Sequence, residues 1–181
     1  LQDFRKNYKS KQVVESLQNL SSIRVLVIGE AIVDQYCYCT PLGKSPKETI
    51  IATKYTSEEN FAGGSLAIAN HLAGFCQNVT LVTCLGHENS REDFIRTKLR
   101  KNIQFSPVHT DDRPTIVKRR YVEPTYLSKM FEIQYLDDTP LPDYLEKDVI
   151  KVIEKHLPDH DIIVVCDFGH GLVTDAIRER L

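Results

Sequence analysis

The residues best suited to chemistry are an acid past an apolar run, a glycine pair, two basic side chains at strand spacing, and a second acid in a glycine loop. In FAGGSLAIANHLAGF (61–75), Gly63 and Gly64 precede apolar residues at helical spacing. Glycines lack Cβ atoms, so a ligand can approach their backbone. The free N–H groups at a helix start can hold sugar hydroxyls or an anion. The same pair also suits a tight turn with close helix–sheet packing. Asp34 lies six residues beyond the apolar run 23–28. The crevice outside the carboxyl ends of parallel strands is where open α/β sheets bind ligands, and a carboxylate there can accept from two adjacent hydroxyls. The alternative is a turn-capping acid. Asp167 repeats that placement directly after IIVVC, in the loop DFGHG, where Gly169 and Gly171 flank His170. In TIVKRRYV, Lys118 and Arg120 share one strand face, with Arg119 opposite. Over a pocket, that face would attract a phosphorylated or acidic ligand; otherwise it is a solvated face. His71 and His87 read as structural or surface residues.

Strands and helices must position these groups. The segment 23–28 is apolar in the manner of a strand covered on both faces; 79–85 reads as a second parallel-type strand, 103–108 as a third and 161–166 as another buried strand. Between them, apolar spacing predicts helices over 7–20, 65–75, 90–101 and 143–156. Ser90 is the expected N-cap of the third, with Asp93 completing an acidic capping box, and Thr174 the expected cap of a terminal helix. Alternating strands and helices argue for right-handed βαβ units and a parallel sheet. Two hairpin-like insertions interrupt the alternation: 35–39 with 48–56, joined by PLGKSPK, and 115–122 with 129–136, joined by EPTYLS. They predict a small lid sheet on an α/β body.

Composition narrows the function classes. The chain has 181 residues, 41% hydrophobic and 27% charged, and fits one soluble globular domain. A formal charge of −2 gives no overall basic field for nucleic acid or an anionic membrane. No apolar run approaches the ~20 residues of a membrane span. Five cysteines without framework spacing fit a reducing cytoplasm. Cys37 and Cys39 can be read as a metal pair, but strand alternation explains them as two thiols on one face, and a structural zinc site wants four ligands.

In this order, the segments resemble the ribokinase-like PfkB carbohydrate kinases, and among them the sugar-kinase half of heptose bifunctional proteins, which pair a kinase with a nucleotidyltransferase. The resemblance is carried by VLVIGEAIVDQY (25–36), LGKSPKE (42–48), FAGGSLAIANHLAGF (61–75), NVTLVTCLG (78–86), RPTIVKRR (113–120) and VVCDFGHGL (164–172). It covers 23–181 as the N-terminal part of the family's domain. It implies a Rossmann-like parallel sheet flanked by helices, a small β-sheet lid that often forms a homodimer contact, and MgATP-dependent phosphorylation of a hydroxyl on a sugar or sugar-phosphate. Carried over by position, Asp34, Gly63 and Gly64 hold sugar hydroxyls, Lys118 with Arg120 beside it stands on the lid near the substrate, and Asp167 lines the sugar site.

The chain also departs from the family pattern. Relatives commonly carry Asn three or four residues after the second glycine, where Ala67 and Ile68 stand; Asn70, about a turn later, is the available replacement. His170 stands where heptose kinases tend to have Lys, and Glu30 where Asp is frequent. The G-A-G-D run that carries the family's catalytic Asp and anion hole does not occur in these residues. The expectation is therefore a domain truncated at its C-terminus and inactive alone, with its catalytic residue beyond Leu181. Residues 1–22 read as a helical connector, with a nucleotidyltransferase half expected upstream. A non-catalytic sugar-binding or dimerisation module is the rival reading. A dinucleotide oxidoreductase, prompted by VLVIGE, lacks G-x-G-x-x-G.

Overall fold

A computed structural model describes residues 2–45 and 47–181. Leu1, in the expected connector, and Pro46, in the expected turn between the first two lid strands, lie outside the described residues. The body is a fully parallel sheet of β1 (Arg24–Gly29), β4 (Asn78–Gly86), β5 (Ile103–Thr110) and β8 (Ile162–Cys166), in the order β5-β4-β1-β8. Period-two alternation divides the apolar β1 between two cores. Val25 and Val27 pack with Leu66 and Ala69 of α3 (Ser65–Leu72) and Ile95 of α4 (Glu92–Lys98). Leu26 and Ile28 pack with Leu145, Val149 and Ile153 of α5 (Asp143–His156) and Ile177 of α6 (Asp175–Glu179). A strand covered on both faces is apolar at consecutive positions, which is why β1 is legible in the sequence.

The second sheet is the lid: β2 (Ala31–Lys44), β3 (Ile51–Gly64), β6 (Ile116–Glu123) and β7 (Ser128–Tyr135), ordered β3-β2-β6-β7. β2 pairs parallel with β6 and antiparallel with β3, and β6 pairs antiparallel with β7. Its strands are longer than expected. β2 begins one residue after β1, because Ala31–Val33 are still buried against the body. β3 runs directly into α3 at Gly64. Asp34 thus sits within a lid strand rather than in a loop crevice beyond β1.

Other boundaries also shift. The expected first helix divides into α1 (Gln2–Asn7) and α2 (Ser10–Asn19), with Lys9 extended between them and its N–H donating to Gln12 Oε1 at 2.9 Å. Ser90 does not cap α4. Arg91 occupies that position in the left-handed region at φ 58°, and Asp93 closes no capping box. Ser90 Oγ instead accepts from Glu92 N at 3.3 Å. β8, expected to be buried, forms a sheet edge with Ile162 and Val165 44% and 42% exposed. Thr174 caps α6 as expected, accepting from Ile177 N at 3.3 Å. No helix among the described residues is long and apolar enough to cross a membrane.

Candidate functional site

Register places the first cluster. Asp34 pairs with Lys118 across β2 and β6, and Lys118 with Gln134 across β6 and β7. One pleat further, Tyr36, Arg120 and Glu132 align. These side chains share one lid face, while Val117, Arg119 and Tyr135 occupy the other. Arg120 bonds Asp34 on one side and Glu132 at 2.7 Å on the other, with its guanidinium 5.4 Å from the Tyr36 ring centroid. Burial pulls the Arg120 pKa down, but Asp34, Glu132 and Tyr36 outweigh it and hold the group above its ordinary value. The Lys118 ammonium makes no ion pair or hydrogen bond among the described residues. The face therefore offers one cation already tied to carboxylates and one ammonium free to engage a ligand.

The glycine pair lies against the same face. An added Cβ at Gly63 would fall 2.1 Å from Asp34 Oδ2, so only glycine leaves room for that carboxylate. Gly64 has φ 57°, and a Cβ there would meet the Glu30 carbonyl oxygen at 2.5 Å. The first α3 amide is already used: Ser65 N donates to Glu30 O at 2.9 Å, and Ser65 Oγ donates to Gly29 O at 3.1 Å. The tight-turn role is therefore present, and Gly63 also shapes the space around Asp34.

Glu30 organises the second cluster, a role the sequence reading missed. It is 2% exposed, and its carboxylate accepts from the backbone amides of Phe168, His170 and Leu172 at 3.0, 3.2 and 3.4 Å. One buried acid thus fixes the loop after β8. The available signal was an acid directly after an all-apolar strand, in a chain whose glycine loop leaves N–H groups needing acceptors. His170 turns inward, with both ring nitrogens buried and unpartnered. They lie by a cavity of about 20 Å³ that Glu30, Cys84, Arg113 and Ile116 also line, enough room for one water. Arg113 closes the loop from the lid side, donating to the carbonyl oxygens of His170, Thr139 and Pro140 at 3.3, 2.8 and 3.3 Å. Burial pushes the neighbouring Cys84 thiol up to about 12, which makes it a poor nucleophile.

The other two expected residues are engaged elsewhere. Asp167 accepts from Gly169 N at 3.0 Å and pairs with Arg178 of α6 at 3.0 Å; the amide first, then the guanidinium, lower its pKa. It shares no partner with Asp34. Asn70 is committed to structure: Oδ1 accepts from Arg100 N at 2.9 Å and Nδ2 donates to Lys98 O at 3.0 Å, tying α3 to the end of α4. The lid cluster thus gathers Asp34, Gly63, Lys118 and Arg120, with Gly64 and His170 linked to it through Glu30. Cys37 and Cys39 are buried free thiols on the other lid face.

No family model matches the sequence. Curated proteins do. Over 169 residues the chain is 23% identical to the bifunctional protein HldE of Trichlorobacter lovleyi, covering 92% of this chain and 34% of that protein. Over 157 residues it is 23% identical to a D-beta-D-heptose 7-phosphate kinase of Bordetella bronchiseptica, covering 86% and 49%. The chain therefore spans about a third to a half of the length of these relatives. Among solved structures, phosphofructokinase-2 of Escherichia coli in complex with fructose-6-phosphate superposes with a TM-score of 0.55 at 13% identity, over 87% of this chain and 52% of that one. Ribokinase of Giardia lamblia gives 0.52 at 17% identity, over 80% and 44%. With a parallel body sheet and a four-stranded lid in place, the chain has the ribokinase-like fold, and in sequence it is similar to the heptose kinases among the PfkB carbohydrate kinases.

Proposed function

We propose that this chain is the sugar-binding, lid-bearing part of a carbohydrate kinase that transfers a phosphoryl group from MgATP to a hydroxyl of a sugar or sugar-phosphate of the heptose class. The observation that carries the reading is the lid face on which Asp34, held by Arg120 and given room by Gly63, stands beside the unpartnered Lys118. Asp34 would accept hydrogen bonds from adjacent hydroxyls, and Lys118 would meet negative charge. His170 and Asp167 would border the site from the loop after β8. Phosphoryl transfer consists mainly of positioning and charge stabilisation, and MgATP when bound supplies the phosphoryl group. We assign the residues of this chain to selecting and orienting the sugar, and the base that orients the nucleophile to sequence outside it. The same reading includes a homodimer formed through the lid, a fused nucleotidyltransferase and a cytoplasmic setting.

Calorimetric titration of the full-length protein with a panel of sugars and heptose phosphates, with and without MgATP, tests the proposal. A phosphorylated product and loss of sugar binding in Asp34→Asn are expected. Binding without product in any member of the panel would favour a non-catalytic sugar-binding module. Unchanged binding in Asp34→Asn would remove the site assignment. The 181-residue chain alone is expected to show no sugar-dependent ADP release.

A further inference from the structure

The lid face opposite Asp34 bounds a separate cavity of about 640 Å³, between Val117, Arg119 and Tyr135 of the lid and the loops after β4 and β5. Its arginines are distinctive. Arg24, Arg96, Arg120, Arg178 and Arg180 each pair with a carboxylate. Among the described residues Arg91, Arg100, Arg113 and Arg119 pair with none, and all of these but Arg100 line this cavity. Arg113 donates to backbone carbonyls with both terminal nitrogens, while its Nε is buried without a partner. Arg119 donates to Gln35 Oε1 and to Tyr135 Oη, and the Tyr121 hydroxyl is a further side-chain partner. The Arg91 guanidinium makes no bond among the described residues, and both Arg91 and Asn89 of the same loop hold left-handed backbone, at φ 58° and 50°. Backbone of that kind in non-glycine residues concentrates at ligand sites.

We propose that this cavity binds a phosphate-type oxyanion, held by Arg91, Arg113 and Arg119. Guanidinium forks match the oxygens of phosphate, and Tyr135 Oη lies beside Arg119 as a further polar contact. Three carboxylates, Glu88, Asp111 and Asp112, also line the cavity, but all are exposed. Asp111 is engaged by His87 at 2.9 Å, and Asp112 accepts from Tyr144 Oη. Exposed charges are screened by water and salt, whereas those of the half-buried Arg113 and Arg119 are screened less, so the cavity interior favours an anion. The site lies across the lid sheet from Asp34 and Lys118 and does not depend on the sugar-site assignment.

Titration of the full chain with inorganic phosphate, at ionic strength held constant with chloride, tests it by calorimetry. Saturable binding is expected. Arg91→Gln and Arg119→Gln should each weaken it by about tenfold or more, and Lys118→Gln should leave it unchanged. Absence of saturable binding, indifference to the two arginine variants, or loss in Lys118→Gln would each overturn the proposal. Thermal melts verify that the variants are folded. Arg91 is exposed and its guanidinium makes no bond among the described residues, so its variant decides the matter if Arg119→Gln unfolds.

Discussion

Glu30 and the glycine pair show how single side chains set the site. Glu30→Gln keeps the shape but replaces an acceptor oxygen with an NH₂ facing backbone donors, at a cost of about 1–3 kcal/mol for a buried unsatisfied group. Urea denaturation should show that loss, and amide exchange should quicken at Phe168, His170 and Leu172, which Glu30 holds. The two glycines should respond differently. Gly64→Ala forces a Cβ into the Glu30 carbonyl and an L-residue into left-handed backbone, so stability should fall by roughly 1–3 kcal/mol. Gly63→Ala pushes on the movable Asp34 carboxylate instead, so its main effect should be weaker sugar binding, readable by calorimetry at unchanged melting temperature.

Within the lid, Arg120 adds side-chain bonds to the backbone ladders on one face, reaching Asp34 of β2 and Glu132 of β7 from its place on β6, as Arg119 reaches Gln35 and Tyr135 on the other. Arg120→Leu leaves two partly buried carboxylates side by side without their cation, so amide exchange across β6 and β7 should accelerate while β1 and β4 stay protected. In the body, α5 carries a pH-dependent contact. His156 is buried and its Nε2 lies 3.1 Å from Ser106 Oγ of β5; burial first, then His160 and Lys155, lower its pKa. The other groups around it are Asp159, which opposes the shift, and His160, whose ring contacts the His156 carbonyl and Thr80. A base whose folded pKa is depressed takes up its proton more readily when unfolded. Its contribution is therefore intact above the unfolded value of about 6.5 and declines as pH falls from there towards the folded pKa. Melting temperature measured from pH 7.5 to 5 should fall in that window, and His156→Gln should flatten the part due to this residue.

At the scale of the molecule, the body sheet ends at β8, whose Ile162 and Val165 are exposed along an edge. Unpaired apolar edges promote association, so Val165→Lys should reduce concentration-dependent light scattering without altering the fold. The two-sheet architecture was legible because each sheet leaves its own signature. Strands covered on both faces are buried at consecutive positions and mostly apolar, as in β1 and β4, while lid strands alternate, as in Asp34, Tyr36 and Tyr38 against Gln35, Cys37 and Cys39. The lid face shared by Lys118 and Arg120, with Arg119 opposite, followed from period two alone. What period and composition could not reach was contact between distant segments. The sequence does not show that Asn70 is consumed by Lys98 and Arg100, that Asp167 turns to Arg178, or that Glu30 holds a loop about 140 residues away. Nor does it show that Arg91, Arg113 and Arg119 line one cavity. The sequence determined the strand and helix periods and the residue types available, because those depend on neighbours along the chain. Tertiary structure alone decided which polar groups are already engaged and which remain free for a ligand, because hydrogen-bond partners are chosen in space.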